Sequence, residues 1–409
     1  MKVAFFYNLA FVFGTLQCVA QSSETRIREH ISYLASDLLE GRAPGTKGEK
    51  LAQEYIIKAF TEYGLKPAGS KKYLQPFTYT ERPHAHHVEG KGVEWNGANV
   101  IGYLDNKASK TIVIGAHYDH LGSEDGRGSS LASDPVGKIH NGADDNASGV
   151  AGLLELARIY SQNNLKENTN FLFMAFSAEE AGLIGSKHFT NNPTKPMSKI
   201  LCMINMDMIG RLRDSTQSLI IGGIGTSPAW IALVKKLNTG FDLKFDTAGM
   251  GPSDHASFYL KDIPVLHFFS GTHSDYHKPT DDIEKINFPG EVKILNYIKK
   301  VVDSCTSYSL VPFTKTKSNE RKMTAFKVTL GIMADYSFGG PGVKIDGISP
   351  EKPAEKAGIL AGDLIMKIGE HETNDIYKYM DALGKFEKGQ KAWVEIKRGA
   401  EVLKKEVEF

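Results

Sequence analysis

Apolar residues recur at helical spacing twice near the amino end. Ile27, Ile31, Leu34 and Leu38 form one stripe; Leu51, Tyr55, Ile56, Ala59, Phe60 and Tyr63 form another. The period predicts two amphipathic helices within residues 24–63. Between them Glu40-Gly41-Arg42-Ala43-Pro44-Gly45-Thr46-Lys47-Gly48 is a loop rich in breakers, and Gly64 is a helix stop. Short strands are predicted at Leu74–Thr80, Val88–Trp95 and Asn99–Leu104. The pattern then changes. Thr111–Ala116, Asn170–Phe176, Ile200–Met206 and Val265–Phe269 are continuous apolar runs, with a shorter one at Leu219–Ile221. Helical runs intervene at Ala151–Tyr160 and Pro228–Leu237, and 288–306 reads as a closing helix. Unbroken apolar strands alternating with helices predict an α/β fold: a mostly parallel, mixed central sheet with helices on both faces.

Past this region the spacing shortens. Val311 to Lys322 carries Pro, Thr, Ser and basic residues and reads as a linker. Beyond it, β-like runs at 325–333, 342–348, 363–368, 391–397 and 402–408 are interrupted by helical pieces at Pro353–Ala357 and Asp375–Phe386. This predicts a small, mostly β module of about the least size that folds alone. The amino end reads differently again. Lys2, the apolar run from Val3 to Leu16 and the small residues Cys18-Val19-Ala20 resemble a secretory leader with Gln21 as the mature start. The expected organisation is a leader at 1–20, an α/β domain at 21–310, a linker at 311–325 and a β module at 326–409. A leader places the mature chain outside the cytoplasm, secreted or periplasmic, with no membrane span after cleavage.

Composition narrows the partners. The chain has 409 residues, with 49 Lys+Arg against 48 Asp+Glu for a net charge of +1. That balance gives no reason to expect nucleic acid or an anionic membrane. Apolar residues make up 41% and aromatic ones 10%, enough for a packed core. After leader cleavage only Cys202 and Cys305 remain, too few for a disulfide framework.

The candidate chemistry lies at the strand ends. His117 ends one apolar run, Ser177-Ala178-Glu179-Glu180 another and Asp207 a third, while His277 follows the fourth. Open α/β sheets bind their ligands at that edge. Between the first two runs stands Asn141-Gly142-Ala143-Asp144-Asp145-Asn146-Ala147-Ser148-Gly149, a tight turn opening a helix. A lone Asp-Asp pair there is ordinarily a cap. A lone His277 is ordinarily a surface residue, and the loop histidines His84, His86 and His87 lack acidic neighbours and read as solvated. The set as a whole is different: imidazoles and carboxylates suited to zinc, converging on one edge. Residues 121–140 form a Gly/Ser-rich insertion beside it, either a lid or a plain loop.

These stretches resemble a known family. Gly115-Ala116-His117-Tyr118-Asp119, Gly142 to Gly149, Ser177 to Ser186, Asn205-Met206-Asp207 and Tyr276-His277-Lys278 are similar to motifs of the bacterial di-zinc aminopeptidases. Pro252-Ser253-Asp254-His255-Ala256-Ser257-Phe258 and the opening Tyr33 to Arg42 are similar too, so the resemblance spans roughly 24–306. It implies two Zn2+, with Asp145 as the bridge, His117 and Asp207 on one ion, and Glu180 and His277 on the other. It implies Asp119 as the partner that orients an imidazole, and a cis peptide after Asp145. Glu179 becomes the general base for a metal-bridging hydroxide, in an exopeptidase that removes N-terminal residues from peptides. Glutamate carboxypeptidase, glutaminyl cyclase and the non-catalytic transferrin receptor are relatives, so carboxypeptidase or cyclase activity remains open. The C-terminal module resembles a PDZ domain, with Leu330, Gly331 and Ile332 in its carboxylate-binding loop and Asp375–Phe386 lining the groove. That implies capture of a peptide or protein C-terminus by strand addition; a binding protein acting through this module is the rival from another class.

Overall fold

The computed structural model describes residues 22–81, 93–123, 129–132, 134–316, 328–334, 338, 340–348, 352–374 and 376–409. The expected leader, the histidines at 84–87 and residues 317–325 of the expected linker lie outside them.

The two predicted amino-terminal helices form as α1 (Ser23–Leu34) and α2 (Lys47–Glu62). Ser22 caps α1 by accepting from Thr25 N–H, and Thr46 caps α2 by accepting from Glu49 N–H. Strands β1 (Lys66–Pro67), β2 (Leu74–Glu81) and β3 (Val93–Leu104) follow. β3 corrects the expectation of two strands at Val88–Trp95 and Asn99–Leu104. Asn96 and Gly97 look like breakers, yet both pair with β2, opposite Thr78 and Phe77. Next come β4 (Thr111–His117), α3 (Gly149–Gln162), β5 (Asn170–Phe176), α4 (Ile184–Asn191), β6 (Ile200–Met206), β7 (Ser218–Gly222), α5 (Trp230–Leu237), β8 (Asp242–Phe245), α6 (His255–Tyr259), β9 (Val265–Phe269) and α7 (Phe288–Cys305).

These strands make one nine-stranded sheet in the order β1-β3-β5-β4-β6-β9-β7-β8, with β2 on β3. The pairs β5–β4, β4–β6 and β6–β9 are parallel, and antiparallel strands flank them. Every residue of β4, β5 and β6 is buried, because helices cover both faces. On one face α1, α2, α3 and α7 contribute Ile31, Ile56, Leu154 and Ile298 to the main core. On the other, Phe176, Phe189 and Phe258 form a second cluster. Cys202 and Cys305 are both buried, and both are free thiols.

The small module is a separate antiparallel sheet. It contains β10 (Ile332–Ala334), β11 (Val343–Ile348), α8 (Pro353–Lys356), β12 (Leu364–Ile368), β13 (His371–Glu372), α9 (Ile376–Leu383), β14 (Lys391–Arg398) and β15 (Glu401–Glu408). The strands run β10-β11-β12-β14-β15, with β13 on β12, around a core of its own that includes Leu330, Ile365, Val394 and Phe386. The start of the expected linker is no free spacer. Val311 is buried in the peptide-sheet core. The Phe313 ring lies 5.6 Å from that of Tyr259, and Thr316 N–H donates to Tyr259 Oη at 3.1 Å. Thr272 Oγ1 of the larger domain donates to the Ala334 carbonyl of the small module at 3.0 Å.

Candidate metal centre

β5, β4 and β6 are adjacent and parallel, so their carboxyl ends open on one edge. His117 closes β4, Glu179 and Glu180 stand just past β5, and Asp207 just past β6. The crossover from β4 to β5 returns through α3, and the turn before α3 carries Asp145 to the same edge. Gly142 makes that turn possible. Its φ is +56°, and a Cβ there would run into the Asp145 carbonyl and the His120 ring. The Asp145–Asn146 peptide is cis. β9 lies next to β6, and the chain beyond it brings back His277.

Asp145 is shared. Its Oδ1 lies 3.3 Å from His117 Nε2, which is 3.4 Å from Asp207 Oδ1. Its Oδ2 lies 3.4 Å from His277 Nε2, which is 3.2 Å from Glu180 Oε2. Zinc bonded at about 2.0–2.1 Å in a tetrahedron holds its ligand atoms roughly 3.3 Å apart. The observed spacings are those of tetrahedron edges. The imidazoles are set for it. His117 Nδ1 faces the Asp119 carbonyl at 3.2 Å, and His277 Nδ1 faces the Ser129 carbonyl at 3.1 Å. A carbonyl only accepts, so Nδ1 carries a proton in each ring and Nε2 is the nitrogen left to face a metal. His277 Nε2 is buried with no hydrogen-bond partner, which is the state of an atom awaiting a metal. The residues therefore fit zinc.

Asp119 acts in a way the sequence shows only in part. Its carboxylate is 3.7 Å from His117 Nδ1, farther than its own main-chain carbonyl. Its two oxygens instead accept the N–H groups of Glu179 at 3.1 Å and Glu180 at 3.3 Å. It thus fixes the backbone of both glutamates while its carbonyl orients His117. His120 is the residue sequence reasoning passed over. It is fully buried, and its Nδ1 is 2.8 Å from Glu180 Oε1 and 3.8 Å from Asp145 Oδ2. The signal was present: it directly follows Asp119 in the run from His117.

The insertion at 121–140 also touches the site. Leu131 N–H donates to the His277 carbonyl at 2.9 Å. With Ser129 on the ring, this holds His277 at a φ of +53°, which a non-glycine residue rarely adopts. Asp144 does other work, accepting from Gly210 N–H at 2.7 Å and facing His273 Nε2 at 3.1 Å.

Charge follows geometry. Burial works to raise Glu180, but His277 and His120 hold it at about 2. His117 and His277 are raised by the carboxylates around them in spite of burial. Glu179 goes the other way. Burial pushes it well above the usual carboxylate range, opposed by His117 and reinforced by Glu180, Asp254 and Asp207. The Pro252–Phe258 segment is moored to the same edge through Asn205 Nδ2, which donates to Ser253 Oγ at 2.8 Å. In the small module Leu330 is buried in the core with its carbonyl taken by Ala354 N–H, and Gly331 N–H donates to Thr329 Oγ1 at 2.9 Å, leading into Ile332 at the start of β10.

Imidazoles and carboxylates gathered at the carboxyl edge of a mixed α/β sheet make a candidate metal centre. The chain belongs to peptidase family M28, matched over residues 99–302, and carries a PDZ domain, matched over 312–409. Among its relatives is leucine aminopeptidase 1 of Coccidioides posadasii, 27% identical over 221 residues that cover 50% of this chain and 55% of that one. The chain thus spans about half the length of that curated relative. A zinc aminopeptidase from Bacillus subtilis superposes with a TM-score of 0.55 at 16% identity, covering 72% of this chain and 98% of that one. A glutaminyl cyclase from Porphyromonas gingivalis superposes with a TM-score of 0.53 at 17% identity, covering 69% and 97%. At such identities the likeness is one of fold.

Proposed function

We propose that this protein is a zinc aminopeptidase that binds two zinc ions and removes N-terminal residues from peptides. The observation that carries the reading is Asp145, whose two oxygens face two separate His–carboxylate pairs at 3.3 and 3.4 Å. His117 and Asp207 hold one ion, Glu180 and His277 the other, and Asp145 bridges. Zinc bound there would supply Lewis-acid chemistry, polarising a carbonyl and lowering the pKa of a water. Glu179 takes the proton of the attacking water and passes it to the leaving amine. Burial raises the proton affinity of its carboxylate, the direction that suits a general base. Asp119 keeps Glu179 on station through its N–H.

The second reading is a glutaminyl cyclase, on the strength of the shared fold. It needs a single zinc, and a complete second ligand set is hard to account for under it. The peptidase domain is taken as 21–310 and the PDZ domain as 326–409, the latter collecting peptide C-termini near Leu330, Gly331 and Ile332. The leader would take the protein to the periplasm or the medium; no helix among the described residues is long and apolar enough to cross a membrane. The test is a pair of substrates, an aminoacyl anilide and its N-acetylated form, alongside a peptide with N-terminal Gln. Cleavage of the first alone supports an aminopeptidase. Cyclisation of the Gln peptide without anilide cleavage would overturn it.

A further inference from the structure

The segment Glu40 to Gly45 carries no zinc ligand, yet it holds the most deeply buried cation of the site. Arg42 is 1% exposed, and among the described residues its side chain makes no direct bond to a carboxylate. Its guanidinium instead gathers four main-chain carbonyls. Nε donates to Tyr118 O at 2.8 Å, Nη1 to Leu34 O at 2.5 Å and to Asn141 O at 2.6 Å, and Nη2 to Gly142 O at 3.0 Å. Tyr118 lies between His117 and Asp119. Asn141 and Gly142 open the turn that carries Asp145. One side chain therefore ties the two loops whose ligands face each other at 3.3 Å across the site.

The turn around Arg42 grips the same loops. Gly41 O accepts from Gly122 N–H at 3.1 Å, and His140 N–H donates to Gly122 O at 2.9 Å, so the two ends of the insertion close on this turn. Gly41 has a φ of +69°, and a Cβ there would come 2.5 Å from the His140 carbonyl. Glu40 and Arg42 are left-handed as well, at +49° and +52°. Three successive residues with positive φ persist only where surroundings fix them. Glu49 adds a second tie, accepting from Tyr118 Oη at 2.9 Å and from Ser177 Oγ, just ahead of Glu179.

The geometry points to Arg42 as a positioning residue that sets the spacing of the two zinc-ligand loops, and so the zinc affinity of both sites. This rests on the two-zinc reading above. A planar fork with several donors is what the arrangement uses; a lysine keeps the charge but cannot bridge four separated carbonyls. Removing an outer partner of a metal ligand typically lowers metal affinity about 10–100-fold.

The experiment titrates zinc, in competition with a chromogenic chelator, into metal-free wild type, Arg42→Lys and Glu155→Gln. The last loosens α1 from α3, away from the metal loops. Unfolding of each metal-free protein is followed in parallel. Expected is a 10–100-fold weaker zinc affinity in Arg42→Lys, with Glu155→Gln less stable but binding zinc as wild type does. Zinc affinity that falls in both variants in step with stability, or in neither, overturns the proposal. If Arg42→Lys does not fold, Gly41→Ala keeps the guanidinium and displaces the turn. It must show the same loss, and unchanged affinity there is also contradictory. Wild type that binds no zinc would sink the two-zinc reading and this proposal together, whereas equal binding by wild type and variant sinks this one alone.

Discussion

Glu179 and Glu180 are neighbours in sequence with opposite proton affinities. Glu180 is held low by two imidazoles, and Glu179 is raised by burial among carboxylates. Glu179→Gln keeps the shape and removes the base. It should retain zinc and lose ~10²–10⁴ in kcat, the usual worth of a general base; near-wild-type turnover would remove Glu179 from the mechanism. Asp144 and Asp145 divide similarly. Asp145→Ala should lose both zinc ions. Asp144→Asn should keep them and lose about 1–3 kcal/mol of stability, since Gly210 N–H and His273 lose a charged acceptor. Metal analysis of the two variants separates the roles, and the reverse pattern would exchange them. The candidates His117, Glu180 and Asp207 were legible because each stands at or just past the end of an apolar run, whereas Asp145, in the turn before α3, and His277, beyond β9, were singled out by the motifs they sit in. His120 and Arg42 were not, since their partners lie 60 to 100 residues away, at Glu180 and Gly142.

Among the elements, continuous apolar strands were read directly because burial on both faces leaves few polar positions in them. β5 and β6 match the predicted ranges residue for residue. Short or polar elements were missed, among them β8 with its mixed Asp242–Phe245 and the five-residue α6, where tertiary contacts rather than period fix the backbone. The α1–α3 pairing shows how such contacts work. Glu155 accepts from Arg26 Nε at 2.8 Å, Arg158 Nε at 2.9 Å and Ser23 Oγ at 2.6 Å. Burial would raise its pKa, but the two arginines hold it at about 2. The folded state thus binds this proton more weakly than the unfolded chain, whose glutamates titrate near 4.3. The stabilisation is fully present above that value and is lost as pH falls toward about 2. Glu155→Gln should cost about 1–3 kcal/mol at neutral pH. Thermal unfolding of variant and wild type should converge as pH drops from 4.3 to 2; a gap independent of pH would mean packing, not charge, is responsible.

For the whole molecule, the first residues of the segment joining the two domains pack on the larger one. Pro, Thr and Ser marked 311–322 as a spacer, but Val311 is buried, Phe313 packs on Tyr259, and Thr316 bonds to Tyr259 and to Gly249 N–H. A chain ending after Thr316 should fold and cleave a small anilide. One ending at residue 310 should melt several degrees lower, because an aliphatic side chain and several hydrogen bonds are worth about 2–4 kcal/mol. Equal melting temperatures would show the 311–316 contacts to be energetically idle. If the PDZ domain collects chain ends, the longer truncate should lose activity on long peptides while keeping it on the anilide, since tethering raises effective concentration only for a ligand that reaches both sites. The functional reading rests on the proposed bridging role of Asp145. The direct test is to titrate zinc into metal-free protein while following hydrolysis of a leucyl anilide. The rate should rise and level off at two zinc ions per chain; a plateau at one, or no activity after two, would contradict the account.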